Sequence, residues 1–341
     1  MLTDAWSIGL LSCTTVTLFL SIVGLKTGWR ILRSWDIGSG SELQIRLEEE
    51  VYLSAVLVEF GFAIQLLSAL MLVLAADYFS NILVGAMCAT GALTANSYGV
   101  PALIVKLLSL FLSAAWIVCH KLDMSSEYYP LVKVKYLLLF FIFPLLILDS
   151  TLLVLYLYKL EPDIITSCCG VLFSSEINDG YNLFAIMPSS GLLALYGAVA
   201  MVLAAVSFKL SQYQNDTDAV PAYISWIFIG LWLIFYFFSL VVITIFTSPY
   251  IYAMPHHRCP FDLLKAPYLL IGYPLYFFLH GAVLAGITTG IAMLSGCRSG
   301  LALPAARLRL WSGRLSVIFM AVFLLMVIYH PLIYQFRGGE G

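Results

Sequence analysis

Charge is what this sequence has least of. Asp, Glu, Lys and Arg supply 11% of its 341 residues, where a soluble domain carries about 25%. Hydrophobic residues supply 62%, too many to bury in a soluble core, so lipid is the solvent for most of the chain. A net charge of −2 provides no basic surface, and nucleic acid is excluded as a partner. The opening residues MLTDAWSIGLL lack a positive n-region, so no cleaved secretory signal is expected. Leu11-Ser12-Cys13 imitates a lipoprotein cleavage site, but the basic start and apolar run that such a signal needs do not precede it. Walker A, GxGxxG, GxSxG and HExxH motifs are all missing, which removes support for ATP-driven transport, dinucleotide chemistry and the common hydrolases. Seven cysteines are too few for a disulfide scaffold.

What the chain does contain is long apolar runs. A spanning helix needs about 20 such residues, and segments near 6–25, 51–76, 101–119, 136–158, 190–208, 222–246, 268–294 and 315–333 qualify. The expectation is an all-α integral membrane protein of eight transmembrane helices, a single polytopic domain over 1–341. Ser41-Glu42-Leu43-Gln44 reads as a capping box. The turns through Glu48, Glu49 and Glu50 then continue into the second span as one helix, outside the hydrocarbon. Residues 77–100 are rich in Gly, Ala, Ser and Thr and read as a re-entrant or partly buried loop. Pro144 and Pro274 are expected to kink the fourth and seventh spans. Arg298, Arg307, Arg309 and Arg314 read as a basic connection before the last span.

Lysine and arginine are unevenly placed. Connections after the odd-numbered spans hold 12 of them, the opposite set holds 4, and Lys106 lies inside the third span. The positive-inside rule then puts both termini on the outer, periplasmic or extracellular, side of a cytoplasmic (inner) membrane of bacterial type.

Under that topology the outer loops 77–100, 159–189 and 247–267 gather Cys88, Cys168, Cys169, His256, His257 and Cys259. Thiolate and imidazole together suit copper or zinc, although the spacing fits no standard zinc pattern. Cys259-Pro260-Phe261-Asp262 also has the layout of a Cys-Pro-x-Cys redox motif with Asp in the last place. Arg258 or a protonated histidine beside it would favour the thiolate, and the resolving thiol would come from Cys88, Cys168 or Cys169. The leading expectation is therefore an outward Cys/His face handling a soft metal ion or thiol redox equivalents, served by a periplasmic redox or metal-carrier protein. The alternative is a transporter or membrane-complex subunit whose outer loops are merely stapled by disulfides.

In that alternative the working residues are charges at membrane depth, which usually face a cavity or a partner. Glu59, Lys106 and Asp149 are the candidates, as a structural ion pair between Lys106 and Asp149 or as an acid–lysine–acid proton path. His280 and His330 raise a haem, but their depths differ by about 13 Å at the helical rise, a poor match for two axial ligands. Tyr250, Tyr252, Tyr268, Tyr273 and Tyr276 read as an interfacial aromatic belt.

Overall fold

A computed structural model describes residues 2–39, 41–86, 88–161, 189–212, 221–254, 257–298 and 300–336. Cys168, Cys169 and His256 lie outside the described residues. The described chain is helical throughout: α1 (Ala5–Ser34), α2 (Glu42–Ser80), α3 (Ala89–Thr94), α4 (Gly99–Asp123), α5 (Val132–Tyr158), α6 (Ser189–Gln212), α7 (Ala222–Val242), α8 (Ser248–Tyr252), α9 (Gly272–Ser295) and α10 (Ala302–Phe336). Eight helical stretches are long and apolar enough to cross a membrane, α7 and α8 counting as one.

Local chemistry explains where these helices begin and end. The Asp4 carboxylate accepts the Trp6 N–H at 2.9 Å and starts α1. Ser41 caps α2 by accepting the Gln44 N–H at 3.3 Å. Only half of the expected capping box forms, because Gln44 Oε1 turns to the Asp36 N–H at 3.1 Å, while the Ser41 N–H donates to Ser39 Oγ. Through the Glu48–Glu50 turns α2 is continuous, as the sequence suggested. Its 39 residues rise about 58 Å, far more than the hydrocarbon is thick.

Three boundaries differ from the sequence expectation. The sixth span does not end at 246 but runs through a π-helical turn, Ile243–Thr247, into α8. Pro249 has no N–H to return to the preceding turn, and Ser248 Oγ donates to the Ile243 carbonyl at 2.8 Å instead. Pro274 lies in the first turn of α9, where a missing N–H costs nothing, so no kink follows from it. Arg307, Arg309 and Arg314 are not in a connection, since α10 already begins at Ala302.

The helices form two groups. In the first, α1 packs on α2 and α5, and α4 on α5 and α2; in the second, α9 packs on α7 and α10, and α6 on α10 and α7. Contacts between α4 and α9 join them. On α1 the buried face carries Ser7, Thr14, Thr17, Ser21, Gly24 and Gly28 beside Leu10 and Ile31, while Phe19, Ile22 and Trp29 point outward. Small and hydroxyl-bearing residues inside with large apolar ones outside is the pattern of helices packed in lipid. Trp6 meets Tyr78 and Tyr250 meets Tyr334, so the start of α1 and the finish of α10 lie at the end of the bundle where α2 finishes and α9 begins.

Candidate metal and thiol site

At that end the two groups are tied together by the loop between α8 and α9. This loop holds three non-glycine residues in left-handed conformation, Ala253, Leu269 and Leu270, each costing roughly 1–2 kcal/mol. Side chains from both groups hold it in place. Tyr252 donates its hydroxyl hydrogen to the Cys259 carbonyl, and Tyr276 donates to the Pro260 carbonyl at 2.7 Å. Lys265 reaches Asp77 at the end of α2 at 3.5 Å, and Phe261 packs into the core of the first group. Tyr252 and Tyr276 thus hold the loop in addition to any belt role.

The docked loop places Cys259 against Cys88, the residue that precedes α3. Cys88 Sγ, Cys259 Sγ and an Asp262 carboxylate oxygen all lie within 4.8 Å of one another, and all three residues are buried. Both cysteines are thiols, and no cysteine among the described residues is in a disulfide. Thr90 Oγ1 sits 3.4 Å from Cys259 Sγ. Asp262 is fixed from behind: His257 Nε2 meets its Oδ2 at 2.8 Å, and Lys265 Nζ meets its Oδ1 at 2.9 Å. Burial works against the Lys265 charge, but the Asp262 hydrogen bond and charge, with help from Asp77, outweigh it and raise its pKa above the ordinary 10.5.

Sequence reasoning had named Cys88, Cys259 and His257, and the structure brings the two thiols together. The His257 imidazole meets the Asp262 carboxylate. Asp262 is the donor that sequence reasoning missed. Its signal was present as the acid three residues after Cys259, where it had been read only as the absence of a second cysteine.

The buried charges also find partners. Lys106 Nζ is 2.7 Å from Asp149 Oδ2, and both side chains are inaccessible. Gln65 donates to the same oxygen at 2.8 Å, and Lys106 also reaches Ser68 at 3.1 Å. Glu59 does not join them; it pairs with Lys121 at 2.7 Å and lies 3.9 Å from His120. Lys106–Asp149 and Glu59–Lys121 are thus two separate pairings.

A second buried pair, Lys135–Asp123 at 2.6 Å, was missed because both residues sit near helix ends and read as loop charges. His280 is a satisfied core histidine, with Nδ1 at 2.8 Å from the Tyr276 carbonyl and Nε2 at 3.0 Å from the Tyr236 hydroxyl. Comparison with protein-family models, curated proteins and solved structures finds no match.

Proposed function

We propose that this multi-pass membrane protein holds a soft metal ion, zinc or copper, through Cys88, Cys259 and Asp262. The observation that carries the reading is the convergence of these donors from two loops far apart in sequence. Tetrahedral zinc bonds of about 2.0–2.3 Å set ligand atoms at separations that fall inside the 4.8 Å bounding this triad. His257 then acts one shell out, fixing the carboxylate. Thiol exchange is the second reading: it leaves the buried Asp262 carboxylate without a role, whereas a cation engages all three donors.

The lysine and arginine bias supports placing this end on the outer face of an inner membrane, where a periplasmic carrier would load or unload the ion. The test is metal content and thiol titration of the detergent-purified protein. About one zinc or copper per chain is expected, lost in C88S and C259S and weakened in D262N. Metal-free protein with thiols that cycle on oxidation would replace this reading with thiol redox chemistry. A Cys88–Cys259 disulfide that resists reduction would sink both.

A further inference from the structure

The two buried Lys–Asp pairs stand at opposite ends of one helix face. Along α4 the residues Lys106, Ser109, Ser113, Trp116, His120 and Asp123 recur at steps of three or four, the spacing that stacks side chains on one side of a helix. All six are buried. From Lys106 to Asp123 the helix rises about 25 Å, most of a hydrocarbon core of about 30 Å. A polar stripe of that length in the middle of a lipid-embedded bundle is costly unless it serves a purpose.

Hydrogen bonding along the stripe is incomplete. Gln65 bridges its upper part, donating to Ser109 and Asp149 at 2.8 Å each. Yet Gln65 Oε1, Asp149 Oδ1, Ser113 Oγ and Trp116 Nε1 are all buried with no hydrogen-bond partner. Buried polar atoms of this kind are normally satisfied, and a polar seam with both acceptors and donors is where ordered water is stable. At the lower end the ring of His120 is oriented. Lys135 Nζ, which can only donate, lies 3.4 Å from Nδ1, so Nδ1 accepts and the ring proton of neutral His120 sits on Nε2. Nε2 faces Glu59 at 3.9 Å. That end carries the exposed Lys121 ammonium and the partly exposed Glu59 carboxylate.

We infer that this face of α4 is a hydrated half-channel that carries protons from the Glu59 mouth to the buried Lys106–Asp149 pair. A proton from water enters at Glu59, passes His120 and the seam water, and ends on the Asp149 carboxylate. Each hop breaks one O–H or N–H bond as the next one forms. Protonation neutralises Asp149 and releases Lys106 from the pair. Lys106 is the charge that faces Asp149 from α4; α2 presents neutral Gln65 and Ser68, and α1 has no charged residue between Asp4 and Lys26. His120 is faced by Lys135 from α5 and Glu59 from α2, with Lys121 and Asp123 on its own helix. The inference does not depend on the metal site, and metal content does not report on it.

The experiment uses the full chain in liposomes. S113C is compared with L108C, since Leu108 lies on the outward, exposed side of the same helix. Both are treated with 2-aminoethyl methanethiosulfonate, and labelling is read peptide by peptide by mass spectrometry. S113C is expected to label about tenfold faster, because water reaches the seam and not the lipid face. In parallel, the infrared difference between wild type and D149N should show a protonated-carboxyl band that grows as pH is lowered. Should D149N fail to fold, D149E keeps the carboxyl and is expected to shift the band. Labelling of S113C no faster than L108C, or a carboxyl band indifferent to residue 149, would overturn the half-channel.

Discussion

Both helical groups bury rings, but the first also buries two Lys–Asp ion pairs. In α1, α2, α4 and α5 the contacts at depth include the Lys106–Asp149 and Lys135–Asp123 pairs, with Arg30–Glu50 nearer the surface. In α6, α7, α9 and α10 aromatic rings fill much of the interior, and Arg309 is buried there as well. Tyr196 stacks on Phe235 at 5.4 Å, and Trp232 and Phe323 meet Phe235 edge-on at 5.7 and 6.3 Å. Some polar groups there form closed pairs, such as Tyr196–Ser239 at 2.9 Å and Tyr236–His280 at 3.0 Å, while the Ser207 and Ser225 hydroxyls and the Trp232 indole N–H show no hydrogen bond among the described residues. A ring packs by shape and tolerates a dry, static interior. Buried ions cost desolvation that apolar side chains would avoid, so they persist where a change of protonation or partner is useful. The comparison thus separates a half with buried ion pairs at its centre from a half held mainly by ring packing.

The largest expected effect tests that separation directly. Removing one member of the inaccessible pair, by D149A or K106A, should cost about 3–5 kcal/mol of stability in a detergent unfolding titration, because the other charge is stranded. The double replacement by Leu and Met at these two positions should recover most of it. Single variants that cost almost nothing would mean the pair is already hydrated or neutral. In the ring-packed half, G286A should cost about 1–3 kcal/mol through overpacking, because a methyl at Gly286 would collide with the Trp232 indole. Combined with D149A it should add within roughly 0.5 kcal/mol, and a large coupling in the same titration would show that the two halves are not separable.

A smaller loss, about 1 kcal/mol, is expected for Y236F, which takes the hydroxyl from His280 Nε2 without opening a cavity; thermal unfolding in detergent reads it. The smallest effect belongs to R46A. The Arg46–Glu42 pair is mostly exposed, at 68% and 81%, and its loss should fall within about 0.5 kcal/mol in the same assay. Charge in this protein matters where lipid and protein exclude water, and that variant sharpens the point by failing to matter.

Much of the architecture was legible in the residues. Apolar runs marked eight spans because hydropathy is summed locally and needs no knowledge of neighbours. Boundaries were less legible: the π turn before Pro249 and the early start of α10 depend on which carbonyls a fold can satisfy. The candidate site was half legible. Cys88, His257 and Cys259 stood out by residue type, but Asp262 did not, since one acid in a loop has nothing to distinguish it until two sulfurs are set beside it. Asp123 and Lys135 were passed over for the mirror-image reason, because at helix ends they resemble solvated charges.

What the sequence determined by itself is the solvent of the chain, the number of its spans and the uneven placement of its cations. All three follow from composition within short windows, where each residue contributes independently to transfer between water and lipid. Only the tertiary structure decided that Cys88 faces Cys259, that Glu59 stands apart from Asp149 and that α4 carries its polar face inward from end to end. Those are statements about pairs of distant segments. They are set by how helices dock, a cooperative outcome of packing that no single stretch of sequence contains.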